Sequence, residues 1–215
     1  MSPERFEKIK DVLNKRQPDL TVILDNVHKP HNIAAILRSC DATGIGTIHA
    51  RSKNSKIGLN LKAASGSNQW VKVYFHNQLS ELYKTLLEKN VNIFVANNSE
   101  GAIDFREVSY TSETAIVLGA ELDGVSNDSL SFADREIKVP IVGMVESLNV
   151  SVTNAVILYE IQRQRKEAGL YKSRRLSINE YEKLLFEFSY PEVARILQKK
   201  GSPYPKLDKF GQIIS

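Results

Sequence analysis

Internal disulfides are excluded at the outset, because the sequence holds one cysteine, Cys40. A single thiol cannot close a bridge within the chain, so a reducing cytoplasm is the expected setting. Long apolar runs are missing too: nothing approaches the roughly 18 residues that a membrane span requires. The first residues, MSPERFEKIK, are charged from the start and offer no apolar signal region. No GxGxxG follows the first strand and no GxxxxGK[ST] occurs, which excludes the usual dinucleotide fingerprint and the P-loop. His28 and His31 stand three apart without a clear set of further ligands. They are expected to be loop or cap residues, not a metal pair. Cys40 has no histidine beside it in sequence and is expected to fill a core. There is no internal repeat and no low-complexity tract.

What is present is a globular core with unevenly placed charge. Apolar residues make up 42% of the chain, enough for a real core. The 215 residues suit one large or two small domains. Residues 161–215 carry 12 Lys/Arg against 6 Asp/Glu, whereas residues 1–160 carry 17 against 19. The positive excess therefore belongs to the C-terminal part. That is the footprint of a polyanion-binding extension on a near-neutral body, although a solvated helix surface gives the same count.

The chain opens with an amphipathic helix over residues 3–16, capped by Ser2, with Phe6, Ile9 and Leu13 on one face. LTVIL (20–24) predicts a strand, and residues 32–43 a helix with Ile33, Ile36, Leu37 and Cys40 inward. Gly44 stops it before a second strand at 46–50. This βαβ unit implies a mostly parallel sheet. Residues 51–69 read as a surface loop with a helical turn near 61–64. Further strands are expected at 70–75, 91–96, 114–118 and 136–139. A helix at 78–90 is expected to turn Leu79, Leu82, Leu86 and Leu87 inward. A short helix ends near Ala133. Helices follow at 177–188, opened by the capping box Ser177/Glu180, and at 191–200. Residues 202–215 are expected to be loosely ordered. The expected organisation is an N-terminal helix (1–19), an α/β core (20–168) and a basic helical extension (169–215).

Residues 141–160, IVGMVESLNVSVTNAVILYE, organise the rest. A loop with one glycine, Gly143, feeds an apolar helix that reads as buried. Glu146, Ser147, Asn149 and Ser151 gather at the junction. Free backbone amides at a helix start attract ligand acceptors, so the junction is a candidate cradle. An ordinary cap by Ser147 or Asn149 explains the same residues. Ligands in open α/β sheets gather at the carboxyl ends of the strands. That rule places three more polar loops nearby, at 25–32, 96–100 and 119–126.

NIAAILRSCDATG (32–44), IVLGAELDGVS (116–126) and the organising stretch resemble the three motifs of the SpoU family of RNA 2′-O-ribose methyltransferases, in order and spacing as well as in wording. The flanking helices resemble the tRNA guanosine-18 branch of that family. The resemblance implies a parallel sheet with helices on both faces and a deep C-terminal trefoil knot, a rare exception to the rules of chain connection. It implies S-adenosyl-L-methionine held at the knot by Ala96, Asn97, Asn98, Leu118, Gly119, Val139, Ile141, Met144 and Leu148. It implies a homodimer that completes the active site. Asn32 and Arg38 match the first motif's functional pair, Glu121 the acidic residue of the second, and Ser147 and Asn149 the polar pair of the third. Taken singly, these residues read as a helix cap, a surface arginine, a turn carboxylate and capping groups. Arg5, Lys8, Lys10, Arg163, Arg165, Lys166, Lys172, Arg174 and Arg175 are expected to hold tRNA phosphates, which makes binding salt-sensitive. A guanidinium is a poor base at neutral pH, since freeing its proton costs roughly 7 kcal/mol. Arg38 is therefore expected to grip a phosphate and stabilise charge on the attacking oxygen. The alternatives are the same chemistry on ribosomal RNA or another tRNA position, and a non-catalytic RNA-binding protein on a methyltransferase core.

Overall fold

The computed structural model describes residues 1–51, 69–120 and 123–214. Its strands are β1 (Leu20–Asp25), β2 (Thr47–Arg51), β3 (Lys72–His76), β4 (Asn92–Ala96), β5 (Ile103–Asp104), β6 (Thr114–Gly119) and β7 (Arg135–Lys138). Its α-helices are α1 (Pro3–Asn14), α2 (Pro30–Ala42), α3 (Ser80–Glu88), α4 (Asn127–Ser131), α5 (Val150–Glu167), α6 (Ile178–Ser189) and α7 (Pro191–Lys200). The chain divides into two compact units, one of residues 18–170 and one made from both ends, 1–17 and 171 onward. The expected turn near 61–64 lies outside the described residues.

In the larger unit the strands form one sheet in the order β3-β2-β1-β6-β4-β7-β5, parallel at each pairing. The sequence of β6, TAIVLG, is an unbroken apolar run because both faces of a parallel sheet are covered, and its first five residues are buried. On one face Ile33, Ile36, Leu37 and Cys40 of α2 and Ile157, Leu158 and Ile161 of α5 join Val22, Leu24, Ile48 and Ile116 in one core. On the other face Leu79 and Tyr83 meet Ile23, Ile93, Val95, Ala115 and Val117.

Three local expectations change. Leu87 of α3 is 42% exposed, and Tyr83 takes the buried place instead. The Tyr83 hydroxyl reaches Ser129 Oγ at 2.6 Å, so the ring is buried without stranding its polar tip. Burial holds the Tyr83 pKa well above the ordinary phenol value. Asn32 does not cap α2. The cap position is Lys29, and Asn32 lies buried in the first turn. The third change is β5, a strand of only two residues between the expected strands at 91–96 and 114–118.

Arg165 requires a correction of role. Its side chain is fully buried, with Nε donating to Tyr110 O at 2.8 Å, Nη2 to Ser112 O at 2.7 Å and Nη1 to Asp19 at 2.9 Å. It fastens α5 to the approach of β6 and has no surface left for a phosphate. Truncation removes a buried donor from the Asp19 carboxylate, whose side chain is 10% exposed, and from two carbonyls. Arg165→Ala should therefore lower stability by about 3–5 kcal/mol in urea unfolding. Exposed Lys166→Ala should change it by less than about 0.5 kcal/mol.

In the terminal unit α1 turns Phe6, Ile9 and Leu13 inward and packs against α6. Ser177 and Glu180 form the expected capping box, and Gly201, at φ 64°, ends α7. Tyr204 and Gly211, within the segment expected to be loose, are held in place. Tyr204 stacks on Phe186 at 4.7 Å between ring centres, and Tyr190 Oη donates to Gly211 O at 2.8 Å. Gly211 sits so tightly on Phe6 that a Cβ there would fall 2.6 Å from the ring. Arg5, Lys8, Lys10, Lys172, Arg174 and Arg175, from opposite ends of the sequence, thus belong to one unit.

Candidate active site

The carboxyl ends of β4, β6 and β7 surround a cavity of about 350 Å³. That volume lies within the range of small-molecule sites. Ala96, Asn97 and Asn98 leave β4, Leu118, Gly119 and Ala120 leave β6, and Val139 and Ile141 follow β7 in its wall. Ser147, Leu148 and Asn149 close it from the loop before α5. Eight of the nine residues expected around a cofactor are therefore together. Met144 is the exception. It is fully exposed and absent from the wall, because the loop turns Val142, Met144 and Val145 outward.

Each wall is fixed by polar contacts. Asn97 N donates to Ile137 O at 3.0 Å, while Asn97 Nδ2 and Ser99 Oγ donate to Glu136 at 2.7 and 2.8 Å. Asn98 Nδ2 donates to Glu146 O at 3.2 Å and so ties the β4 loop to the loop before α5. The loop after β6 closes on itself: Ala120 N donates to Gly124 O at 3.0 Å, and Gly124 N returns to Ala120 O at 2.9 Å. Gly124 takes φ 65°, where a side chain would be strained.

Asp25 anchors this loop from below. Its buried carboxylate accepts from Ser126 N at 2.8 Å and from the hydroxyls of Ser126 and Ser129 at 2.5 and 2.9 Å. Arg51 approaches the other oxygen at 3.4 Å. Sequence reading missed this clamp, because Asp25 and Ser126 lie 101 residues apart. The available signal was an acid that ends an otherwise apolar strand.

Asn149 is both cap and link. Its Oδ1 accepts from Ser151 N at 2.9 Å, and its Nδ2 donates to Asn32 Oδ1 at 3.3 Å. The first and third motifs thus meet through two amides. Arg38 is not part of this group. It lies on the exposed face of α2, six residues and about 9 Å of helix rise beyond Asn32. Glu121 lies outside the described residues. Arg163 is held by Glu160 and Glu167 at 2.7 Å each. The site offers apolar walls, backbone groups and amide and hydroxyl side chains. Those features suit a nucleoside-sized ligand positioned by hydrogen bonds. Among the described residues no group of three His, Cys, Asp or Glu is placed to hold a metal.

The family model of the SpoU rRNA methylase family matches residues 19–159, and its C-terminal companion matches residues 163–215. The chain belongs to the SpoU rRNA methylase family. Within that family it is 43% identical over 215 residues to a tRNA (guanosine(18)-2′-O)-methyltransferase of Escherichia coli, covering 99% of this chain and 94% of that one. It is 48% identical over 184 residues to the enzyme of the same name from Thermus thermophilus, covering 86% and 95%. The solved structure of a TrmH/SpoU tRNA modifying enzyme from A. aeolicus superposes with a TM-score of 0.79 at 37% identity, over 88% and 97% of the two chains. A more distant SpoU methyltransferase, AviRb from Streptomyces viridochromogenes, was solved with AdoMet and shares the fold, with a TM-score of 0.62 at 22% identity over 72% and 62%. The segments that resemble the second and third SpoU motifs build part of the cavity wall, beside the ends of β4 and β7, and the first joins the third through the Asn32–Asn149 link.

Proposed function

We propose that this SpoU protein transfers a methyl group from S-adenosylmethionine to the ribose 2′-hydroxyl of guanosine-18 in tRNA. The observation that carries the reading is the cavity, whose walls draw on the second and third motifs together with the ends of β4 and β7, and whose rim meets the first motif through Asn149 and Asn32. Full-length similarity to enzymes of that name supports the choice of substrate. S-adenosylmethionine supplies an electrophilic methyl on a sulfonium. The chain supplies position: backbone groups at 96–98, 119–120 and 139–141 hold the cofactor, while Ser147, Asn149 and Asn32 orient the ribose. Glu121 pairs with an arginine or with the guanosine. Arg38 binds phosphate and stabilises the oxygen as its negative charge grows. We read the loops near 96–98, 118–119 and 139–148 as a trefoil knot.

A second copy of the chain completes the site. Val152, Val156 and Tyr159 form an exposed apolar stripe along α5, and Val142, Met144 and Val145 are exposed in the loop before it. A homodimer would cover that surface. Arg5, Lys8, Lys10, Lys166, Lys172, Arg174 and Arg175 serve tRNA phosphates in a cytoplasmic enzyme. The test is methyl transfer from labelled S-adenosylmethionine to unmodified tRNA transcripts, with the ribose mapped by its alkali-resistant linkage. Transfer to the D-loop guanosine is expected. Transfer only to ribosomal RNA would overturn the substrate, and no transfer to any RNA would overturn the activity.

A further inference from the structure

We propose that β3, the end strand of the sheet among the described residues, carries with β2 a stacking subsite for an unpaired base of the substrate RNA, formed by Lys72, Tyr74, His49 and His76. It rests on the reading that the substrate is RNA. The pairing of β2 with β3 sets Thr47 beside Lys72, His49 beside Tyr74 and Arg51 beside His76. Alternate residues share a face, so these side chains stand in one patch. His49 and Tyr74 stack with centroids 5.5 Å apart and planes 20° from parallel. His49 Nδ1 lies 2.9 Å from His76 Nε2, so one ring donates and the other accepts. Lys72 Nζ stands 4.5 Å from the centre of the Tyr74 ring.

The same sheet face is closed further in, where Leu79 and Tyr83 cover Ile23, Val95 and Val117. That cover does not reach Tyr74, which remains 41% exposed. Isolated exposed rings are ordinary, but this is a row joined by one stack and one hydrogen bond, with a cation at one end. Burial and the neighbouring His76 push the His49 pKa down to about 4, and burial lowers that of His76 too. The imidazoles therefore meet a ligand uncharged at neutral pH. Neutral π-faces with a flanking ammonium match a base and its phosphate. They do not match an apolar protein surface.

Position also fits. β3 is four strand spacings from β4, about 19 Å, and all these strands run the same way. A base on the row would therefore belong to a nucleotide several positions from the one being methylated.

The test compares Tyr74→Ala with Tyr74→Phe. Each is assayed for KM toward tRNA, kcat, S-adenosylmethionine affinity and unfolding midpoint. Wild type is also photocrosslinked to 4-thiouridine-substituted tRNA. Loss of one stacking platform should raise the tRNA KM about 5- to 100-fold in Tyr74→Ala. Cofactor affinity and the midpoint should hold, Tyr74→Phe should stay near wild type, and the crosslink should map to residues 72–76. An unchanged KM in Tyr74→Ala while wild type still methylates tRNA would overturn the subsite and leave the enzyme reading intact. An equal defect in Tyr74→Phe would overturn stacking. A crosslink at 72–76 without methyl transfer would support the subsite while removing the proposed reaction.

Discussion

Gly119→Ala should weaken S-adenosylmethionine binding by at least about 100-fold while leaving the protein folded. A Cβ on Gly119 would fall 2.3 Å from Gly124 C, 2.4 Å from Gly124 O and 2.5 Å from Val125 N. All three are backbone atoms, so no side-chain rotation relieves the clash. β6 cannot yield, because it is paired with β1 on one side and β4 on the other. The loop must move instead, and its Ala120, Gly124 and Val125 are cavity wall. Two hydrogen bonds across that loop and the Asp25 clamp on Ser126 oppose a smooth shift. Overpacking of this kind costs about 1–3 kcal/mol, within the margin of a typical domain. Calorimetric titration measures the affinity and thermal unfolding the fold. Gly101→Ala is the control, since nothing lies within 4 Å of a Cβ there. Wild-type affinity in Gly119→Ala would remove the loop from the cofactor site.

The fold was legible where the determinants are local. Apolar runs mark the buried strands to within a residue or two at most ends, and the carboxyl-end rule puts the polar loops where the cavity lies. Asn149 at the start of α5 was visible because a cap needs only the residues that follow it. What escaped depends on distant partners. Arg165 sits in the run RQRK and looks like its neighbours. It is buried because Asp19, 146 residues away, and two carbonyls wait for it. Tyr83 looks amphipathic until Ser129 arrives from α4. Tyr204 and Gly211 look loose because Phe186 and Phe6, which hold them, lie elsewhere in the sequence. Met144 was placed by motif alone, and motif similarity does not say which way a loop residue turns.

Arg38→Ala should lower kcat for methyl transfer by about 100- to 1,000-fold, the usual effect of losing one donor to a developing oxyanion. Cofactor affinity should stay unchanged, because Arg38 is not in the cavity wall. Stability should change by less than about 0.5 kcal/mol, since the side chain is exposed on α2 and alanine favours a helix. A stable, cofactor-competent and inactive variant would separate chemistry from folding. Near-normal turnover in Arg38→Lys would refute a specific guanidinium role. Because Arg38 points away from the core of its own chain, the decisive form of the experiment mixes two dead variants. In a dimer whose sites pair the cavity of one copy with Arg38 of the other, an Arg38→Ala chain joined to a Gly119→Ala chain has one intact site. Random exchange of equal amounts should then restore about a quarter of the wild-type activity. If Arg38 serves the cavity of its own chain, every site in the mixture carries a defect and no activity returns. Recovery would establish the dimer and its shared site together. Absence of recovery, with exchange confirmed by mass, would place Arg38 and the cavity it serves on one chain.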